Sequence, residues 1–265
     1  MRAVPTRAAA AQRGRGPTGG APVGPTGGGG RLSQPPPAYT FAPPNRLGSR
    51  PDTSLHRETS GSRGAPRATS TGRTPAYRVA ALGATTWPAF ARLAEKNNGI
   101  WGGCWCTWFH TMAAEKTRTY EGNRDLKGQL VREGRAHAAL VFQGDDAVAW
   151  CQYGSPRELP NIYHRKEYLA GMVQEPDYRI TCFFVDRGHR HGGVAALALA
   201  GALELIARAG GGLVEAYPQE AAAKKASGSL LYSCTRTMFE RAGFSYDRPK
   251  GLKHCVMHKV VSPAP

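Results

Sequence analysis

The chain has 265 residues and a formal net charge of +16, with 35 lysines and arginines against 19 acids. No apolar run reaches the ~20 residues of a membrane span, and no apolar leader core opens the chain, so a cytoplasmic protein without membrane contact is expected. The six cysteines include one C-x-C and no C-x-x-C pair. That argues against a disulfide framework or a structural zinc site, and no metal is expected.

Composition divides the sequence near residue 75. Residues 1–75 hold eleven arginines, no lysine and two acids (Asp52 and Glu58), hence +9 of the +16. Stretches such as "RGPTGGAPVGPTGGGG" and "SQPPPAYTFAPP" are dense in Pro and Gly, and Ile, Trp and Cys are missing throughout. Such a segment buries too little apolar surface to offset the entropy of ordering, so a disordered extension is expected. Its arginines are scattered singly with no aromatic platform, which fits a solvated arm. Any contact with nucleic acid is expected of this segment alone.

Residues 76–261 read as one folded domain. "TTWPAFARLAEKNNG" predicts a helix with Thr85 or Thr86 at its cap, Pro88 in its first turn and a stop at Asn97, Asn98 and Gly99. "IWGGCWCTWFH" is dense in aromatic rings and sulfur, suited to a core or to the wall of a cleft. "EKTRTYEGNRDLKGQLVREGRA" predicts one or two polar helices with Leu126, Leu130 and Val131 inward. "HAALVFQGDDAVAWCQYG" predicts a hairpin with strands 137–142 and 147–153. Residues 157–174 read as loop and short helix.

"YRITCFFVD" is apolar on both faces, the mark of a central strand. A helix over about 193–209 follows, then the strand "LVEAYP", a helix over "GSLLYSCTRTMFERAGF" and the last strand "HCVMHKVV". The order describes a mixed α/β domain with a right-handed parallel crossover after residue 185.

Between the central strand and its helix stands "DRGHRHGGVA". A helix start leaves its first amides unpaired and carries partial positive charge. Glycine lets a phosphate approach that backbone, and Arg190, His189 and His191 add donors. The spacing is neither that of a dinucleotide fingerprint nor that of a P-loop.

The stretch "VDRGHRHGGVA" (185–195) resembles the cofactor loop of the GCN5-related N-acetyltransferases, the GNAT superfamily. That family's pattern is R/Q-x-x-G-x-G/A after its fourth strand. Arg190, His191, Gly192, Gly193, Val194 and Ala195 fit every specified position. "MFERAGF" (238–244) resembles its second landmark, and the resemblance spans roughly residues 100–261. It implies a mixed, mostly antiparallel central sheet flanked by helices. It also implies an N-acetyltransferase that carries an acetyl group from acetyl-CoA, as co-substrate, to an amine on a small molecule or a protein.

By the same resemblance the pyrophosphate would lie on the amides of residues 190–195. The pantetheine arm would pair like an added strand against Phe183, Phe184 and Val185, with the Val185 amide polarising the thioester carbonyl. A fixed donor at a forming oxyanion lowers a barrier by about 3 kcal/mol.

Alternation along "LVEAYP" makes Glu215 the candidate base, with a salt bridge to a nearby helix as its alternative role. The family's acidic tyrosine falls at Phe239, which has no hydroxyl. Tyr232, seven residues earlier and expected two turns back on the same helix face, is the candidate acid. Ser233, Cys234 or a water are the others, and a plain core role for Tyr232 is equally open. His137, His254 and His258 read as satisfied structural histidines. The acceptor and the oligomeric state carry no sequence signal; loops at 99–112, 154–175 and 245–253 are expected to form the acceptor pocket, and the basic "RPKGLKH" (248–254) reads as a solvated hairpin. The alternative function is a non-catalytic acyl-CoA-binding module with a basic arm.

Overall fold

The computed structural model describes residues 39–41, 77–220 and 232–265. Tyr39–Phe41 (β1) pairs antiparallel with Tyr77–Ala81 (β2). The expectation of disorder over 1–75 otherwise lies outside the described residues. Asp146–Gly154 (β4) turns back on His137–Gln143 (β3), as the apolar runs around "QGDD" predict, and β2 pairs with β3. Next to β4 lies the central strand Tyr178–Val185 (β5), then Gly212–Ala216 (β6), His254–Val261 (β8) and Ser245–Lys250 (β7). Every neighbouring pair is antiparallel except β5 with β6. The sheet is thus mixed and mostly antiparallel.

Both faces are covered, as the doubly apolar β5 requires. On one lies Val194–Arg208 (α4), the crossover helix between β5 and β6, which packs across β2 to β5 and β8. On the other lie Trp87–Lys96 (α1), Tyr120–Arg132 (α2) and the aromatic loop between them, in a cluster built on Phe90, Trp105, Leu130, Leu140 and Trp150. Thr86 precedes α1 but does not cap it. Its Oγ1 accepts from the Gly83 amide (2.9 Å) and donates to the Ala81 carbonyl (2.8 Å), fixing the turn that leads in. The short helix expected within 157–174 is Arg165–Ala170 (α3).

The structure corrects two expectations. Of the helix expected over 228–244, residues 228–231 lie outside the described residues, and the rest is helical only over Arg236–Arg241 (α5). Residues 232–235 are held by other elements: the Tyr232 carbonyl accepts from the Phe183 amide (2.7 Å), and the Cys234 carbonyl from that of Gln219 (3.0 Å). Cys234 adopts φ +58°. A backbone so engaged cannot supply the i→i−4 ladder, so Tyr232 does not share a helix face with Phe239. Residues 245–250, expected as loop, form a strand. β7 lies at the sheet edge, where Pro249 lacks an amide without breaking a ladder.

β5 and β6 pair over only three residues: Tyr178 with Val214, Arg179 with Glu215, Ile180 with Ala216. β6 then ends while β5 runs on to Val185. That parting opens the site.

Gly201 shows how closely α4 sits on the sheet. A Cβ there would meet Val79 Cγ1 of β2 at 2.5 Å. Alanine is the better helix former by about 1 kcal/mol, yet we expect Gly201→Ala to destabilise the fold by about 1–3 kcal/mol through overpacking. Val79→Ala in the same chain should recover part of that loss. Urea denaturation of the single and double variants measures both, and a neutral or stabilising Gly201→Ala would contradict the packing described.

Candidate acyl-CoA cleft

The turn after β5 is set by Asp186. Its Oδ1 accepts from the Gly188 amide (3.1 Å) and its Oδ2 pairs with Lys96 Nζ (2.9 Å). Residues 187–189 form one 3-10 turn, and Gly193, at φ +79°, is the N-cap of α4 with no side chain capping the helix. Nothing lies within 4 Å of where a Gly193 Cβ would stand. The first amides of α4 therefore face open space, at the positive end of a 15-residue helix.

That space is a cleft of about 560 Å³. Of the residues expected to bind cofactor, Phe183, Phe184, Val185, Arg190, His191, Gly193, Val194 and Ala195 line it, and Gly192 does not. Its far wall brings in Trp101, Cys234, Thr235, Met238 and Arg241. Arg190 Nε donates to the Val185 carbonyl (3.1 Å), which folds the arginine back over the strand. The Tyr77 hydroxyl and His189 Nδ1 lie 3.3 Å apart. Arg190 and Arg241 make the cleft electropositive, and its side chains suit a diphosphate at the turn and an uncharged chain along β5.

The direction of the β5 amides follows from register. The Asp186 amide donates to the Val148 carbonyl (2.9 Å), so the adjoining pair, Val185 with Ala149, is a non-hydrogen-bonded one. The Val185 amide and carbonyl therefore point away from β4, toward the cleft. The Phe183 amide points the same way, but the Tyr232 carbonyl already occupies it. Of residues 183–185, along which strand-like pairing is expected, Val185 is thus the one whose amide is turned to the cleft without a partner among the described residues.

Glu215 lies outside this cleft. It is 4% exposed and accepts from two hydroxyls, those of Tyr168 on α3 (2.7 Å) and Tyr217 (3.0 Å). The Arg179 Nη2 is 3.4 Å from the Tyr168 oxygen. The expected ion pair with a helix is replaced by this hydroxyl clamp. Tyr232 faces a smaller cavity on the other side of 232–235, together with Tyr217 and Ser233. Burial pushes its hydroxyl pKa up, so it keeps its proton. Among the acids considered, only Cys234 lines the cleft, and burial pushes its thiol up to about 12. Phe239 is core, edge-on to Phe183 and Phe244.

Three features escaped the sequence reading. Lys250, in a basic stretch that reads as a solvated hairpin, is 4% exposed and faces the smaller cavity. Burial pushes its ammonium down to about 8 against the pull of Glu167 and Glu215. His254 Nε2 is buried and unpartnered among the described residues. Lys127, on a helix that reads as polar, is 1% exposed. Its Nζ donates to Gln152 Oε1 (2.6 Å) and His110 Nε2 (3.1 Å), and His110 Nδ1 donates to the Glu158 carbonyl (2.9 Å). The one available signal was position: Lys127 precedes Leu130 and Val131 by three and four residues, on their face of the helix.

No family model and no curated protein matches the sequence. Solved structures do match. A protein from Desulfovibrio desulfuricans described as a GNAT-family acetyltransferase is 17% identical, with 69% of this chain and 99% of that one covered and a TM-score of 0.41. The ribosomal-protein-S18-alanine N-acetyltransferase of Escherichia coli is 11% identical, with 71% and 96% covered and a TM-score of 0.39. A ribosomal L7/L12 α-N-protein acetyltransferase solved with coenzyme A is 12% identical, with 70% and 94% covered and a TM-score of 0.40. The chain's own sheet is mixed and mostly antiparallel, as residues 185–195 and 238–244 lead one to expect.

Proposed function

We propose that the chain is an acyl-CoA-dependent N-acetyltransferase that moves an acetyl group from acetyl-CoA to an amine. The observation that carries this reading is the Val185 amide, turned into a cleft whose other end is an uncapped, glycine-opened helix start. Diphosphate oxygens would accept from the first amides of α4 beside Arg190. The thioester oxygen would accept from Val185, which holds the developing negative charge as the amine nitrogen bonds to the carbonyl carbon.

The carbon–sulfur bond then breaks, and two protons must move. The amine proton goes to Glu215 by way of Tyr217, whose hydroxyl already donates to that carboxylate and whose ring lines the adjoining cavity. Tyr217 takes the incoming proton as it passes its own on. The leaving thiolate takes a proton from solvent, since Tyr232 faces the other cavity and burial makes the Cys234 thiol a weaker acid than an ordinary thiol. The second reading, a non-catalytic acyl-CoA-binding module, is favoured by Phe239, which puts a hydroxyl-free ring in the core where the family carries its acid. Free-thiol release from acetyl-CoA in the presence of an amine panel separates the two.

Two variants test the roles. Gly193→Ala and Gly193→Glu share the strain of a side chain at φ +79°, but only the glutamate brings negative charge to the helix start. We expect Ala to keep CoA binding and Glu to weaken it about 100-fold or more by calorimetry. Equal affinities would place the anion elsewhere. Glu215→Gln should lower kcat about 100-fold or more with the KM for acetyl-CoA unchanged. An unchanged kcat would remove Glu215 from the proton path.

A further inference from the structure

The smaller cavity beyond 232–235 is lined by polar groups that the proton path does not use. Ser233 Oγ and His254 Nε2 are buried and without a partner among the described residues. Thr181 on β5 accepts from Gln152 Nε2 (3.1 Å), and Gln152 is oriented by Lys127, which can only donate to its Oε1. That chain fixes the Thr181 oxygen as an acceptor on its buried side and leaves its own proton for the cavity. The Lys250 ammonium makes no hydrogen bond among the described residues; it lies over the face of the Tyr217 ring, 5.2 Å away, and feels Glu167 and Glu215 only through their charge.

Among the described residues no carboxylate lines this cavity. Around it the buried cations Arg179 and Lys250 have one buried carboxylate, Glu215, which two tyrosine hydroxyls already bind, and the exposed Glu167 of α3. Buried donors without acceptors and a buried ammonium without a hydrogen-bonded counter-ion are both costly. The group that relieves both is an anion. At about 10 Å³ the cavity admits one oxygen-sized group, so an anion would place a single oxygen there with the rest of the molecule outside.

Resting on the acetyltransferase reading for its place beside the cleft, we propose that the acceptor is an amine bearing a carboxylate, whose anionic oxygen is received by Lys250, Ser233 and Thr181. Lys250 is the specificity-determining residue. The nearby rings of Phe109 and Tyr232 give the carboxylate's carbon skeleton an apolar flank.

The test uses the full-length chain saturated with CoA, with benzoate as probe and benzamide as its neutral isostere, read by thermal shift and calorimetry. Benzoate should bind, with benzamide weaker by about tenfold or more, and Lys250→Met should lose about tenfold or more in benzoate affinity. Lys250→Gln and Ser233→Ala serve as milder variants should Met perturb the fold, and retained CoA binding shows that each is folded. No benzoate binding by the wild type, equal affinity for benzamide, or undiminished binding by the folded Lys250 variants would each overturn the proposal. Failure of the wild type to bind CoA would instead sink the acetyltransferase reading, and the benzoate comparison on the CoA-free chain would still decide the cavity's preference.

Discussion

The site depends on two strands that stop pairing. β5 and β6 share three residues of parallel ladder and then part. A strand without its neighbour has amides and carbonyls that must find partners elsewhere. Along β5 the chain itself satisfies one, by returning residues 232–235 so that the Tyr232 carbonyl meets the Phe183 amide. It leaves the next such amide, Val185, turned outward. The same returning segment divides the gap into two spaces. One side is the cleft that ends at the start of α4, and the other is the polar cavity under the β7–β8 hairpin. Position, polarity and division of labour between the two spaces all follow from where the ladder stops.

The two spaces differ in chemistry as they should for two substrates. The cleft has backbone donors, arginines and an apolar floor from β5, matched to a long ligand with a charged end. The cavity has fixed side-chain donors and a lysine held in low dielectric, matched to a small charged group. Lys127 contributes at a distance. Buried against Gln152 and His110, it sets the direction of a hydrogen-bond chain that ends at Thr181. A charge held so deep is expensive, and burial pushes the Lys127 ammonium down to about 8 despite nearby thiols. Orientation of Gln152 is what that arrangement yields.

Local signals made much of this legible in the sequence. The doubly apolar "YRITCFFV" spans β5, and the glycine pair before an apolar 3.6-period run marks the start of α4 to within one residue. The turn was readable because its physics is local: an uncapped helix start, glycine and positive charge within six residues. The segment 232–235 was misread for the converse reason. Its helical pattern is genuine from Arg236 on, but the backbone before that is claimed by Phe183 and Gln219, residues distant in sequence. Tyr232 was misplaced with it. Lys250 looked like a solvated hairpin residue and His254 like a satisfied structural histidine because no local pattern reveals that α3 and Tyr217 pack against this hairpin. Glu215 was found by strand alternation, whereas its clamp by Tyr168 depends on a short helix the sequence barely marks.

The central claim is that the Val185 amide is the free donor of the cleft and that the Phe183 amide is not. Amide hydrogen exchange, resolved by residue with and without saturating acetyl-CoA, tests it most directly. The account predicts that Phe183 is protected in both states and that Val185 exchanges freely until acetyl-CoA is added, then becomes protected. Val185 exchange unchanged by saturating acetyl-CoA would contradict it.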